Sequence, residues 1–171
     1  MGGLAPALPR LLAFAIDWVV IAAWGGAIFA LVWWSSDGSP SAPANPWQGQ
    51  AIGFLSMTLP VALYFSLCEA SARQGTLGKH MLGLRVCQRN GERAPWKQTF
   101  LRAVGKLFPW ELGHLLAQQA FFAGEDGLST WVLVPGLLSF ALPAWWVASL
   151  LVQGRTPYDR WSRTMVHRVK G

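Results

Sequence analysis

The chain has 171 residues, 53% of them hydrophobic and only 13% charged, and its mean hydropathy of +0.31 excludes an ordinary water-soluble domain as the default. It still carries 14 Lys and Arg against 8 Asp and Glu, a formal net charge of +6, which in a soluble protein points to a nucleic-acid partner. The placement of the charge decides otherwise: no Lys or Arg lies between Arg10 and Arg73, and none from Leu107 to Gly154, a segregation typical of membrane proteins.

Leu11 to Trp34 is a long apolar run interrupted only by Asp17. At about 1.5 Å per residue it crosses a hydrocarbon core of roughly 30 Å, so it is read as the first span. A secretory signal peptide is the rival, but the run is too long and no small-x-small cleavage pattern precedes a polar start. Ser35 to Gln50, rich in Ser, Pro, Ala and Gly, reads as an exposed connecting loop. Ala51 to Cys68 is the second span, with a kink expected at Pro60, where the ring removes a backbone hydrogen bond.

The segment 69–106 holds eight cations. Within it Leu84, Val86 and Gln88 alternate with Arg85 and Cys87 ahead of Asn90-Gly91, a strong hairpin-turn signal. After Pro95 the period changes: Phe100, Leu101, Val104 and Leu107 or Phe108 recur at helical spacing among Lys97, Arg102 and Lys106. This predicts an amphipathic helix lying on an anionic inner leaflet, with a solvated basic loop as the alternative.

Leu107 to Ala123 is ambiguous, because it includes Glu111, His114, Gln118 and Gln119, and hydropathy alone makes it interfacial. Leu128 to Val152 is a clear span broken by Pro135, Gly136 and Pro143, and the tail 153–171 adds five cations. If 107–123 crosses, every Lys and Arg falls on one side, with Asp37, Glu125 and Asp126 on the other. The positive-inside rule therefore favours four crossings with both termini cytoplasmic. The predicted fold class is an all-α membrane protein: one domain over 1–171, a bundle of four transmembrane helices (11–34, 51–68, 107–123, 128–152). A short cytoplasmic β-hairpin and an amphipathic helix lie between helices 2 and 3. Trp33, Trp34, Trp47 and Trp131 are expected near the outer interface and Trp110, Trp145 and Trp146 toward the inner one, while Trp18 and Trp24 lie deeper as packing residues.

Arg10 with Asp17 two helical turns further on, Gln74-Gly75-Thr76-Leu77-Gly78-Lys79, Gly83-Leu84-Arg85-Val86, Leu101-Arg102, and Tyr158-Asp159-Arg160 with Thr164 follow one another in an order that resembles the RDD family of bacterial membrane proteins. The Arg and two Asp of the family's name map onto Arg10, Asp17 and Asp159. The resemblance implies a bacterial inner-membrane location. It also brings in cation–proton exchange, with which a few members of the family have been connected.

Asp17 lies well inside the first span, about 9 Å below its cytoplasmic end, where a carboxylate is costly unless paired, hydrated or protonated. Glu111, His114 and Gln118, at i, i+3 and i+7, form one polar stripe. An ion or proton site of Asp17, Glu111 and His114 is one reading, since carboxylates suit hard cations and His titrates near neutral pH. The other is structural: Arg10, Asp17 and Asp159 form a charge cluster that fixes helix packing, and His114 holds the bundle by bonding Glu111 or a neighbouring helix. Glu69 either joins that cluster or pairs with Arg73.

Neither a disulfide nor zinc is expected from Cys68 and Cys87, and no metal or other cofactor is indicated. GxSxG, Walker A and HExxH patterns are absent, and no nucleophile–base arrangement points to an enzyme. The expected partners are the lipid bilayer with its anionic inner leaflet, further copies of the chain or a membrane protein, and no nucleic acid. Two functions are carried forward: cation–proton exchange or small-solute transport, and a non-catalytic membrane module that assembles with or regulates a partner.

Overall fold

The computed structural model describes residues 4–124 and 127–169. Glu125, Asp126 and Lys170, which the charge map used, lie outside the described residues. The element order is α1 (Ala7–Ser35), α2 (Pro46–Gly53), a π-helical turn (Phe54–Thr58), α3 (Leu59–Ala70), α4 (Leu77–Met81), β1 (Leu84–Gln88), α5 (Trp96–Phe122), a 3-10 turn (Thr130–Val132), α6 (Leu133–Gln153), α7 (Pro157–Trp161) and β2 (Thr164–Arg168). Three stretches are long and apolar enough to cross a membrane: Ala7–Ser35, Pro46–Ala70 and Thr130–Gln153. The segment 107–123 lies almost wholly inside α5, a helix of 27 residues whose polar content keeps it out of that group. The surface is inverted relative to a soluble protein. Asp17 is fully buried while Val19, two residues on and on the opposite face of α1, is 69% exposed, and Phe140 on α6 is 74% exposed.

α2, the π turn and α3 are continuous, so the second span starts at Pro46 and takes in the end of the expected loop. Asn45 caps it, accepting from the Gln48 amide at 2.9 Å. Pro60 has no amide to donate to the Ser56 carbonyl one turn back, and Trp24 Nε1 on α1 donates to that oxygen at 2.8 Å. The π turn stands immediately before this proline, so the expected irregularity is a widened turn tied to α1.

The Asn90-Gly91 turn forms, with the Gln88 amide donating to Glu92 O at 2.8 Å, but its return arm makes only an isolated bridge between Cys87 and Arg93. The expected hairpin is replaced by a sheet of distant strands. β1 pairs antiparallel with β2 from Leu84↔Arg168 to Gln88↔Thr164. Burial explains the choice: β2 brings Val166 beside Leu84 and Val86, and the three form one core with Ala5 and Ala13. The Ala5 amide donates to Val166 O at 2.9 Å, tying the N-terminal segment to the same sheet.

The amphipathic helix and the segment 107–123 are one helix, α5, which packs against α3 and α6. Its first turns are oriented opposite to the sequence expectation. Leu101, Val104 and Phe108 are exposed, whereas Arg102 is buried and the Lys106 side chain is only 7% exposed. The cations turn inward because buried carboxylates wait there, and the apolar face is left for lipid. A second core of Ile21, Val61, Ala62, Phe65 and Ala103 joins α1, α3 and α5 beyond them.

Candidate functional site: a buried charge network and a polar pair

The sheet end of the bundle holds a continuous ionic network. Asp159, on α7, accepts from Arg10 on α1 at 2.6 Å and from Arg102 on α5. Arg102 Nε lies 2.9 Å from Glu69 at the end of α3, and Glu69 meets Lys79 of α4 at 2.9 Å and Lys106 at 3.7 Å. Five helices are thereby joined through two carboxylates and four cations. Asp159 also closes the capping box of α7, accepting from the Thr156 amide at 3.0 Å, while Arg10 donates to the Gly154 carbonyl at 3.2 Å where α6 ends. Arg102 reaches Thr164 Oγ1 at 3.2 Å, linking the network to β2.

Asp17 sits beside this network and takes neutral donors. Thr76 Oγ1 donates to it at 2.6 Å, the Gly78 amide at 3.0 Å and the Tyr64 hydroxyl at 3.0 Å. Thr76 is the N-cap of α4, so Asp17 locks the first turn of that helix onto α1. The approach is close enough that a Cβ on Gly78 would stand 2.0 Å from the Ala13 carbonyl oxygen, which makes glycine obligatory there. Lys79 Nζ, 3.5 Å from Thr76 Oγ1, links Asp17 to Glu69.

Glu111 and His114 form a separate constellation on α5, facing α2 and the π turn. Glu111 accepts from Gln50 Nε2 at 2.8 Å and from Thr58 Oγ1, and His114 Nδ1 lies 3.5 Å from it. The small residues Gly49 and Gly53 make room: a Cβ on Gly49 would stand 2.1 Å from the Gln118 amide oxygen, and one on Gly53 3.6 Å from His114 Nδ1. The stripe of Glu111, His114 and Gln118 thus lies on one face, against α2. Trp110 packs on His114 with ring centres 4.7 Å apart and on Trp18 at 5.2 Å.

The structure therefore brings Arg10 and Asp159 together, joins Asp17 to them through Thr76, Lys79, Glu69 and Arg102, and unites Glu111 with His114. No hydrogen bond or ion pair connects Asp17 with Glu111 or His114 among the described residues. Among those residues no group of three or more His, Cys, Asp or Glu is placed to hold a metal ion.

The model of the RDD family matches residues 4–163, spanning every helix of the network from α1 to the end of α7. The chain belongs to the RDD family. It is 36% identical over 78 residues to the uncharacterized protein YxaI of Bacillus subtilis (strain 168), an alignment covering 43% of this chain and 49% of that protein. No solved structure matches.

In this RDD chain the Arg and the two Asp that carried the resemblance are fully engaged by other protein groups. Arg102, Glu69, Lys79 and Lys106 complete the network, and sequence reading missed three of them as site residues by counting them as surface cations. The available signal was weak: Arg102 and Lys106 share a helix face with buried Thr99, one and two turns away, and Glu69 is the lone acid at the close of a span. Outside the helices that cross, burial pushes the Cys87 thiol above its usual range, so at neutral pH this thiol stays protonated.

Proposed function

We propose that this RDD protein is a four-crossing protein of the bacterial inner membrane that exchanges protons for a cation or small solute through Glu111 and His114. The observation that carries it is the Glu–His pair itself. A carboxylate and an imidazole 3.5 Å apart, both partly buried, lie beside a π-helical turn that supplies the Thr58 hydroxyl. An imidazole with a neighbouring carboxylate able to take or return its proton is the minimum for a relay. Asp17 is assigned a structural role, because its two oxygens already accept three donors.

The way the ends meet supports four crossings. β1 precedes α5 and β2 follows α6, and the two strands pair. α5 therefore starts, and α6 ends, at the sheet end. If α6 crosses, the α5 it packs against runs the opposite way over the same depth, and its 27 residues reach about 40 Å. The positive-inside rule then favours a cytoplasmic sheet end and cytoplasmic termini.

The test is dissipation of an imposed pH gradient in proteoliposomes, with candidate cations supplied outside. Glu111→Gln and His114→Gln are each expected to slow it at least tenfold, and Asp17→Asn, scored per folded protein, to leave the rate within about twofold. A wild-type protein that moves no proton under any gradient, or a rate lost with Asp17→Asn and kept with Glu111→Gln, overturns the assignment.

A second reading is favoured by the basic face at the sheet end, where Arg85, Arg89, Arg93, Lys97, Arg163 and Arg168 are exposed. In it the protein is a non-catalytic module whose cationic surface docks a partner. Release of a co-purifying protein by Arg85→Ala with Arg89→Ala, in a chain inactive in the flux assay, is the result that selects it.

A further inference from the structure

A cavity of about 460 Å³ separates α1 from α5 and α6. Its walls are apolar and aromatic, with Phe14 and Trp18 of α1 facing Trp110, Phe140 and Trp146. One end is strongly cationic, since Arg10, Lys79, Arg102 and Lys106 all line it. The rim includes Phe140 and Val147, which are 74% and 40% exposed on the outward face of α6, so the cavity opens sideways onto the surface left for lipid.

Two polar groups in this lining lack an adequate partner among the described residues. Lys106 Nζ makes no hydrogen bond there; its side chain is 7% exposed, its one carboxylate lies 3.7 Å away, and the Phe65 ring centre is equally close. Trp146 is 6% exposed, and its Nε1 is buried without an acceptor. By formal charge the ionic network has four cations for the two carboxylates Glu69 and Asp159, and even with Asp17 counted one basic side chain is in excess. Burying an unmatched charge is costly, and an anion supplied from outside the chain removes that cost.

We propose that this cavity is a binding site for an anionic phospholipid of the surrounding leaflet. The phosphate accepts from Lys106 and Trp146 Nε1 at the cationic end, and one acyl chain lies along the Trp18, Trp110 and Phe140 walls. Lys106 and His114, both in the lining, are about 12 Å apart along α5, which accommodates part of one chain. The second chain passes out between α1 and α6 into the bilayer. The charge excludes a zwitterionic lipid as the preferred occupant, and the apolar walls exclude a free anion. Glu111 is not part of the lining, and Glu111→Gln is expected to leave lipid binding intact.

The experiment measures thermal melting of the full chain in neutral detergent with added phosphatidylglycerol, phosphatidylcholine or inorganic phosphate. Native mass spectrometry counts the lipid retained. Phosphatidylglycerol is expected to raise the melting temperature and remain bound at one per chain, phosphatidylcholine and phosphate to do neither. Lys106→Met is expected to weaken phosphatidylglycerol binding at least tenfold. Val147→Trp, which fills the rim without touching the network, is expected to weaken it comparably while melting like the wild type when no lipid is present. Equal effects of the two lipids, an equal effect of phosphate alone, or undiminished binding by Val147→Trp overturns the proposal.

Discussion

Asp159 is the residue on which the sheet end depends most. It is fully buried, balances Arg10 and Arg102, and closes the cap of α7. Asp159→Ala leaves two buried guanidinium groups without that partner, so a loss of about 3–5 kcal/mol is expected, seen as a lowered melting temperature in detergent. Arg163→Ala, at an exposed position, is expected to change stability by less than about 0.5 kcal/mol. An Asp159→Ala protein as stable as the Arg163→Ala control would contradict the network's role. At this scale the sequence was partly legible. Arg10, Asp17 and Asp159 stood out, two of them because charges in or beside an apolar run demand a partner, but which partner each takes depends on α4 and α7. Those helices are single turns and leave no periodic trace.

Among the elements, the pairing of β1 with β2 is the most consequential difference from the sequence expectation. Asn90-Gly91 carries a true local turn signal, and the turn is made. A return arm of Glu92-Arg93-Ala94 nevertheless offers little apolar surface, whereas Val166 comes from the far end of the chain and has no local signature. The same holds for α5, where helical spacing was read correctly but the face was not, because the buried acids that draw Arg102 and Lys106 inward come from α3 and α7. The register gives a direct check. In a Cys68→Ser, Cys87→Ser background, Arg85→Cys with His167→Cys is expected to form a disulfide under mild oxidation, because these residues are Cα partners. Arg85→Cys with Arg160→Cys serves as the unpaired control. Cross-linking in the control alone would refute the sheet.

For the whole molecule, the claim that organises the rest is that four helices cross and that the N-terminal segment, β1, β2 and the charge network share one side of the membrane. Hydropathy and length mark three candidate spans, and the fourth crossing in this claim rests on the segregation of cations, because α5 trades apolarity for the Glu111–His114 stripe. The most direct measurement is labelling of single cysteines with a membrane-impermeant maleimide in sealed right-side-out vesicles, with Cys68 and Cys87 replaced by Ser. Ser129 and Arg163 are both exposed and lie at opposite ends of α6. Ser129→Cys is expected to react in sealed vesicles and Arg163→Cys only after permeabilisation; reaction of Arg163→Cys in sealed vesicles would contradict the four-crossing arrangement.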